Sequence, residues 1–374
     1  MTNKRPPIDN DRVSSLRDRG AAVRAFIIDN VDAHPTDIAK ITAANFGCSR
    51  QAVNKHLQNL VADGSLAEGG RTKSKSYKLA ALVKWVKTYP LVPGMSESEV
   101  WTADVASALG AIPDNAHRIW QHGFTEMFNN AIDHSEGTHI SVGFEKSASE
   151  TTIRITDNGV GIFRKIQRAL GLIDERHAVL ELAKGRFTTD PRNHSGEGIF
   201  FTSRMFDEFV IMSGGVYFSH AINEKEDWIL EAGEMGEGTH VRMTLKNHTS
   251  RTAKQVFDEF TTGDDYGFTK TVVPVRLAQY GDDNLISRSQ AKRLLARIDR
   301  FKLVLLDFRG VAMVGQAFAD EIFRVFAANH PEMEIMAINT EIPVRQMISR
   351  ARAHDAQQPR SDRPTDEGAD FRPA

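Results

Sequence analysis

Residues 125–135 read TEMFNNAIDHS, a polar set that an ordinary surface helix does not need. Helical spacing brings Glu126, Asn130 and Asp133 (i, i+4, i+7) onto one face. Trp120, Phe124, Met127, Phe128 and Ala131 gather on the far side, ready to pack on a sheet. A merely solvated face would be served by Lys, Glu and Gln in almost any order. Here short acids and amides point one way instead. An amide oxygen suits a hard cation such as Mg²⁺, and a carboxylate beside it can orient or deprotonate an attacking group.

Three later segments extend the pattern. TTIRITDNGVGI (151–162) reads as a strand that delivers Asp157 into a turn with Gly159 and Gly161. An acid at a strand end can accept from a purine's exocyclic amine, and glycines let backbone approach a flat ring. DxGxG alone is also ordinary turn chemistry. Gly196 and Gly198 then open an amphipathic run, IFFTSRMF, and glycine-rich helix entrances present bare N–H groups to anions. Finally GEGTHVRMTL (236–245) puts Thr239 at the start of a strand.

In this order and spacing, residues 100–250 resemble the Bergerat-type (GHKL) ATP-binding domain of histidine kinases, DNA gyrase, MutL proteins, large heat-shock chaperones and anti-sigma-factor serine kinases. The resemblance implies ATP and Mg²⁺ as cofactors. It puts Glu126 in the general base's place and Asn130 in the Mg²⁺ ligand's, with Asp133 on the same ATP-binding face. Asp157 takes the adenine-reading place, with Gly159 and Gly161 in the turn. Gly196 and Gly198 take the phosphate lid's place, and Thr239 that of a late threonine. The lid would run from about Phe163 to Ser195, where Lys184, Arg186 and Arg192 are within reach of phosphates. SGEGIFFTSRMFDEFVIMS is most similar to the anti-sigma kinases, except that Phe200 stands where a third lid glycine is common. His122 lies inside the nucleotide domain's own helix, which disfavours a two-component phosphoacceptor.

The flanks differ in charge. Residues 1–90 hold 15 Lys/Arg against 8 Asp/Glu, a net of +7, while the whole chain carries −2. A basic front on an acidic body suits a polyanion partner. Residues 20–80 read as helix, helix, helix, hairpin, with Thr36 as N-cap of the second helix and Ser49 of the third. That order resembles a winged helix–turn–helix. It implies double-stranded DNA as partner, with Ser49, Arg50, Gln51, Asn54 and Lys55 facing base edges and Arg71, Lys73 and Lys75 meeting phosphates. Residues 1–19 are expected to be flexible, and 81–99, with two prolines, to be a linker.

Residues 266–353 alternate strand and helix, and KLVLLDFRGVAMVGQAFADEIFRVF resembles the STAS fold of anti-sigma antagonists. Gly315, Gln316 and Ala317 occupy the turn where an antagonist carries its phosphorylatable serine, so docking of a regulatory protein partner is expected rather than phosphorylation. Asp320 and Glu321 read as solvated, and Ser287, Arg288 and Ser289 as a polar helix cap. Residues 354–374 are a polar, Pro-containing tail expected to be disordered.

The expected architecture is therefore multidomain: winged helix–turn–helix, α/β-sandwich ATP-binding domain, then an α/β STAS-like domain. No apolar run approaches a membrane span, the first residues lack a signal peptide's apolar stretch, and Cys48 stands alone, which together favour a reducing cytoplasm without membrane association. The leading function is an ATP-responsive DNA-binding regulator, working as a homodimer in one form of that reading. A serine/threonine kinase acting on a separate STAS-like protein is the alternative, and an ATP clamp on DNA a third.

Overall fold

The computed structural model describes residues 10–71, 74–186, 196–222, 228–231, 236–261, 267–279 and 284–357. They form two compact units, Met1–Glu259 and Phe260–Ala374. Among the described residues no helix is long and apolar enough to cross a membrane.

The first unit begins with α1 (Asn10–Asn30), α2 (Ile38–Phe46) and α3 (Arg50–Ala62), then an antiparallel hairpin of β1 (Leu66–Gly69) and β2 (Ser76–Leu79). Val23, Ile27, Ile38, Val53, Leu57 and Leu60 recur at helical spacing and form its buried core. Helix α1 starts at Asn10, so part of the stretch expected to be flexible is helical. Ser49 caps α3 by accepting from the Ala52 N–H at 3.2 Å. The residue before α2 is Asp37, not Thr36, and its side chain makes no cap bond.

Residues 81–99, read as a linker, instead hold β3 (Val83–Pro90) and the start of α4 (Glu97–Val100). Strand β3 pairs along its whole length with β4 (His139–Lys146) and forms one edge of a seven-stranded sheet. Trp85 stacks on Phe144 at 5.3 Å, and Tyr89 meets Phe128 edge-on at 6.0 Å. A π-helical turn, Trp101–Val105, links α4 to α5 (Ala106–Leu109). Its Asp104 accepts from both Lys87 and the Tyr89 hydroxyl, tying this segment to β3.

The sheet continues through β5 (Glu150–Asp157), β9 (Thr239–Lys246), β6 (Glu208–Ser213), β7 (Val216–Ala221) and β8 (Trp228–Glu231), in the order β3-β4-β5-β9-β6-β7-β8 with every pair antiparallel. Period-2 alternation buries Ile140, Val142 and Phe144 on β4 and Ile153, Ile155 and Asp157 on β5. Over that face lies α6 (Asp114–His134), burying Trp120, Phe124, Met127 and Phe128, each worth about 1.5–3 kcal/mol relative to exposure. A Cβ on Gly123 would fall 2.3 Å from the Phe206 ring, so only glycine lets that ring pack against α6. Helices α7 (Ile162–Leu170), α8 (Glu175–Lys184), α9 (Gly198–Met205) and α10 (Ala253–Glu259) complete the unit. His122 is half-buried, with its ring edge-on to Phe257 at 5.8 Å.

The second unit is a three-stranded parallel sheet of β10 (Lys270–Pro274), β11 (Leu303–Asp307) and β12 (Glu334–Ile338). Helix α11 (Arg288–Leu295) links the first two strands. A helix made of α12 (Gln316–Asp320), a π-helical turn at Glu321–Phe326 and α13 (Ala327–Asn329) links the next two, and α14 (Ile342–Gln357) follows. Phe268 packs between Phe260 and Phe301, so this core starts before residue 266. Ser287 and Gln290 form a reciprocal capping box on α11, which gives that polar cluster a structural role. Glu321 is buried rather than solvated, since its helix turns that side inward with Ile322, and Lys292 lies 3.9 Å away. Asp320 is half-buried and chelates Arg324 one turn on.

Candidate nucleotide-binding cleft

A cleft of about 260 Å³ opens between the sheet and α6–α9. Its floor is an apolar row across three neighbouring strands, Ile155 on β5, Val241 on β9 and Ile211 on β6, which the register places side by side. Such a floor fits a flat aromatic ring. At its end Asp157 is 6% exposed and its Oδ1 accepts the Gly159 N–H at 2.9 Å and the Thr239 N–H at 3.2 Å. Burial pushes the Asp157 carboxyl up, and these backbone donors oppose the shift.

The turn after Asp157 is tightly packed. A Cβ on Gly159 would lie 1.9 Å from the Ser135 carbonyl oxygen, and one on Gly161, at φ 85°, 2.5 Å from Ser213 Oγ. Gly238 at φ 94° closes the same corner, where a Cβ would lie 2.0 Å from the Asp157 carbonyl oxygen. Thr239 Oγ1 accepts the Ile162 N–H at 3.0 Å and stitches β9 to the start of α7.

Along the helix wall the polar lining residues are Glu126, Asn130 and His134, with Met127 and Ala131 between them. They follow the i, i+4 ridge, which is inclined to the helix axis, rather than the axial stripe that would have brought in Asp133. Asp133 is accordingly not among the described lining residues. At the far end Gly198 opens α9 directly against Glu126, where a Cβ would lie 2.0 Å from Oε2. Gly196, Ile199 and Phe200 finish that wall.

Comparison with known families matches residues 115–249 to the histidine kinase-, DNA gyrase B- and HSP90-like ATPases. The chain contains a GHKL-type ATPase domain. Residues 290–344 match a STAS-like domain of unknown function. No curated protein gives a significant match.

Within the ATPase domain, Glu126, Asn130, Asp157, Gly196, Gly198 and Thr239 converge on the cleft, with Gly159 and Gly161 shaping the turn behind it. Lys184 does not join them. Helix α8 is buried on all sides from His177 onward, so the Lys184 ammonium needs a buried partner and has Glu181 Oε1 at 2.9 Å. The stretch expected to be lid is helical over α7 and α8, and residues 187–195, including Arg192, lie outside the described residues. Arg186 pairs with Glu197 at 3.5 Å, while burial pushes the Glu197 carboxyl up. Phe200 is built into the cleft wall, with the Arg204 guanidinium 3.6 Å above its ring.

The apolar floor was not foreseen from the sequence, nor, among the polar and glycine residues around the cleft, were His134, Ser135, Lys165 and Gly238. His134 and Ser135 were visible in TEMFNNAIDHS but fell off the chosen stripe, and Gly238 stood in GEGTH beside Thr239. Lys165 had no sequence signal beyond its distance from the glycine turn.

Mg²⁺ fits the donor set present. Among the described residues no group of three or more His, Cys, Asp or Glu side chains could hold a metal. Mg²⁺ takes one or two protein oxygens and completes its shell with phosphates and water, so Asn130 is the residue that would hold it, beside Glu126. The ion would neutralise phosphate charge there.

On the front block, Ser49, Arg50, Gln51, Asn54 and Lys55 are all exposed along the first turns of α3, and Arg71 is exposed on the hairpin. Lys75 is engaged by Glu68 at 2.8 Å, which holds its ammonium's pKa up. Lys73 lies outside the described residues.

Proposed function

We propose that the chain is a nucleotide-responsive, DNA-binding transcriptional regulator, in which Mg-ATP at the cleft changes how residues 20–80 engage double-stranded DNA. The observation that carries this reading is the absence of slack between the hairpin and the ATPase sheet. Strand β2 ends at Leu79 and β3 begins at Val83. Even the residues between are tied down, Ala80 N–H to Ser65 O at 3.1 Å and Leu82 N–H to Lys146 O at 2.7 Å. The Leu79 N–H also reaches Asp32 Oδ1 at 3.2 Å, which fixes the hairpin to the end of α1. A shift of the sheet edge would therefore move the hairpin of a winged helix–turn–helix.

The exposed polar face of α3 would read base edges and Arg71 and Lys75 would meet phosphates, in keeping with the basic bias of the block. Asp157 would take the adenine amine and Asn130 the Mg²⁺. ATP can act as a signal only if it binds two states of the protein unequally. The STAS-like unit is the proposed seat of a regulatory protein partner, a homodimer suits paired half-sites, and a cytoplasmic location accompanies the reading. Gly315, Gln316 and Ala317 at the start of α12 offer no hydroxyl, so a phosphoryl transfer from the cleft would need another acceptor.

Footprinting on genomic fragments, with and without Mg-ATP, tests the reading. A protected site is expected, and replacing Arg71 and Lys75 by Gln should lower the salt dependence by about one ion per lost phosphate contact. Absence of any preferred site under both conditions would overturn it.

A further inference from the structure

Lys165 lines the cleft with an ammonium donor that no described residue takes. It sits in the first turn of α7, whose start is pinned by Thr239, and its own N–H donates to the Gly161 carbonyl at 3.0 Å. Its ammonium donates to the His134 carbonyl at 2.8 Å and to Glu136 Oε1 at 2.9 Å. A lysine has three N–H donors, so one remains beyond its acceptors among the described residues. Among the described cleft residues Lys165 is the lone lysine or arginine.

Its place along the cleft is also fixed. The Val160 N–H donates to the Ser135 carbonyl at 2.9 Å, so the last turn of α6 abuts the turn that follows Asp157. Asn130 stands one helical turn before His134, and Glu126 two turns before it. Lys165 thus lies toward the ring end of the cleft, short of the Asn130 and Glu126 end. The α6 carbonyls there present the negative end of a helix dipole, which would repel a phosphate if left bare. Lys165 neutralises that end. Glu136 has 62% of its side chain exposed, so its bond to Lys165 is screened and readily exchanged.

We infer that Lys165 is a nucleotide-binding residue, its free donor taking the phosphate nearest the ribose, and that Glu136 competes for the same ammonium. The inference rests on the nucleotide reading of the cleft. A charged donor gains far more from phosphate oxygen than from a sugar hydroxyl.

The test is displacement of a fluorescent ADP by adenosine, AMP, ADP and ATP from the full chain, its Lys165→Gln variant and its Glu136→Gln variant. Lys165→Gln should weaken AMP, ADP and ATP alike by about tenfold, the size of one charge-assisted hydrogen bond, and leave adenosine unchanged. Glu136→Gln should tighten the three phosphates by about threefold, because a competing carboxylate is gone. Three results would overturn the assignment. Adenosine weakening as much as AMP would mean that Lys165 only supports the fold. Weakening by both variants would mark a structural ion pair, and a loss confined to ATP would place the contact at the terminal phosphate. A wild type that binds the fluorescent probe but is indifferent to Lys165→Gln sinks only this inference; one that binds no nucleotide sinks the reading beneath it.

Discussion

Asp157→Asn separates a carboxylate that reads a purine from one that only holds a turn. In the native chain Oδ1 takes two backbone N–H groups, at 2.9 and 3.2 Å. An asparagine can keep its oxygen on those donors, so the turn survives. Its other atom changes from an acceptor to an NH₂ donor. Facing an exocyclic amine, that swap removes a hydrogen bond to a charged group, about 1.5–3 kcal/mol, and leaves buried donors opposed, about 1–3 kcal/mol more. The sum is roughly 3 kcal/mol or above, at least about a hundredfold in affinity.

Stability should move the other way. Burial raises the Asp157 pKa in the folded chain, so the unfolded chain ionises first as pH rises. The native state therefore loses stability from just above the ordinary aspartate value upward through the raised one, and a neutral isostere escapes that loss at pH 7. Calorimetric titration with Mg-ATP and a thermal melt read both effects. Affinity should fall about a hundredfold or more with Tm unchanged or higher, and discrimination against inosine triphosphate, which lacks the amine, should vanish. Affinity within about threefold of wild type would refute the purine-reading role, and a large drop in Tm would make Asp157 a structural carboxylate.

Two glycine substitutions should part company. At Gly159 a Cβ meets the Ser135 backbone at 1.9 Å, so Gly159→Ala should destabilise the domain and abolish nucleotide binding, as melts and titration would show. At Gly198 the obstacle is the movable Glu126 carboxylate at 2.0 Å, so Gly198→Ala should fold normally while phosphate release falls, and normal release would count against Glu126 as the base. Burial, reinforced by Asp32, Asp207 and Glu208 and opposed by Lys246, pushes the Glu150 carboxyl up. Its folded pKa is raised, so the native chain loses stability as pH climbs through it; Glu150→Gln should raise Tm at pH 7 and make no difference at about pH 4, whereas an equal effect at both would contradict this.

The site was legible where its signal was local. Glu126 and Asn130 declare themselves by helical spacing, and Asp157 by standing between a strand and paired glycines. Lys184 misled because a lysine in a lid is normally solvated, and only the packing of α8 shows it buried on Glu181. Lys165 was silent because its value depends on where α6 ends. In the fold, β4 and β5 alternate clearly, whereas β3 is an edge strand with Val86 72% exposed. Its lysines and terminal Pro90 blurred the period, and Trp85 and Tyr89, which dock it, have their partners elsewhere in sequence.

The most direct test is the affinity of the full chain for its footprinted DNA site, measured by anisotropy at fixed salt with and without saturating Mg-ATP. A coupling of about 1–3 kcal/mol, five- to 150-fold in either direction, is expected, with the same factor appearing in ATP affinity when DNA is added. Asp157→Asn should bind DNA as the nucleotide-free protein does at any ATP concentration that leaves it unoccupied. DNA affinity that does not change while ATP demonstrably occupies the cleft would contradict a nucleotide-responsive DNA reader.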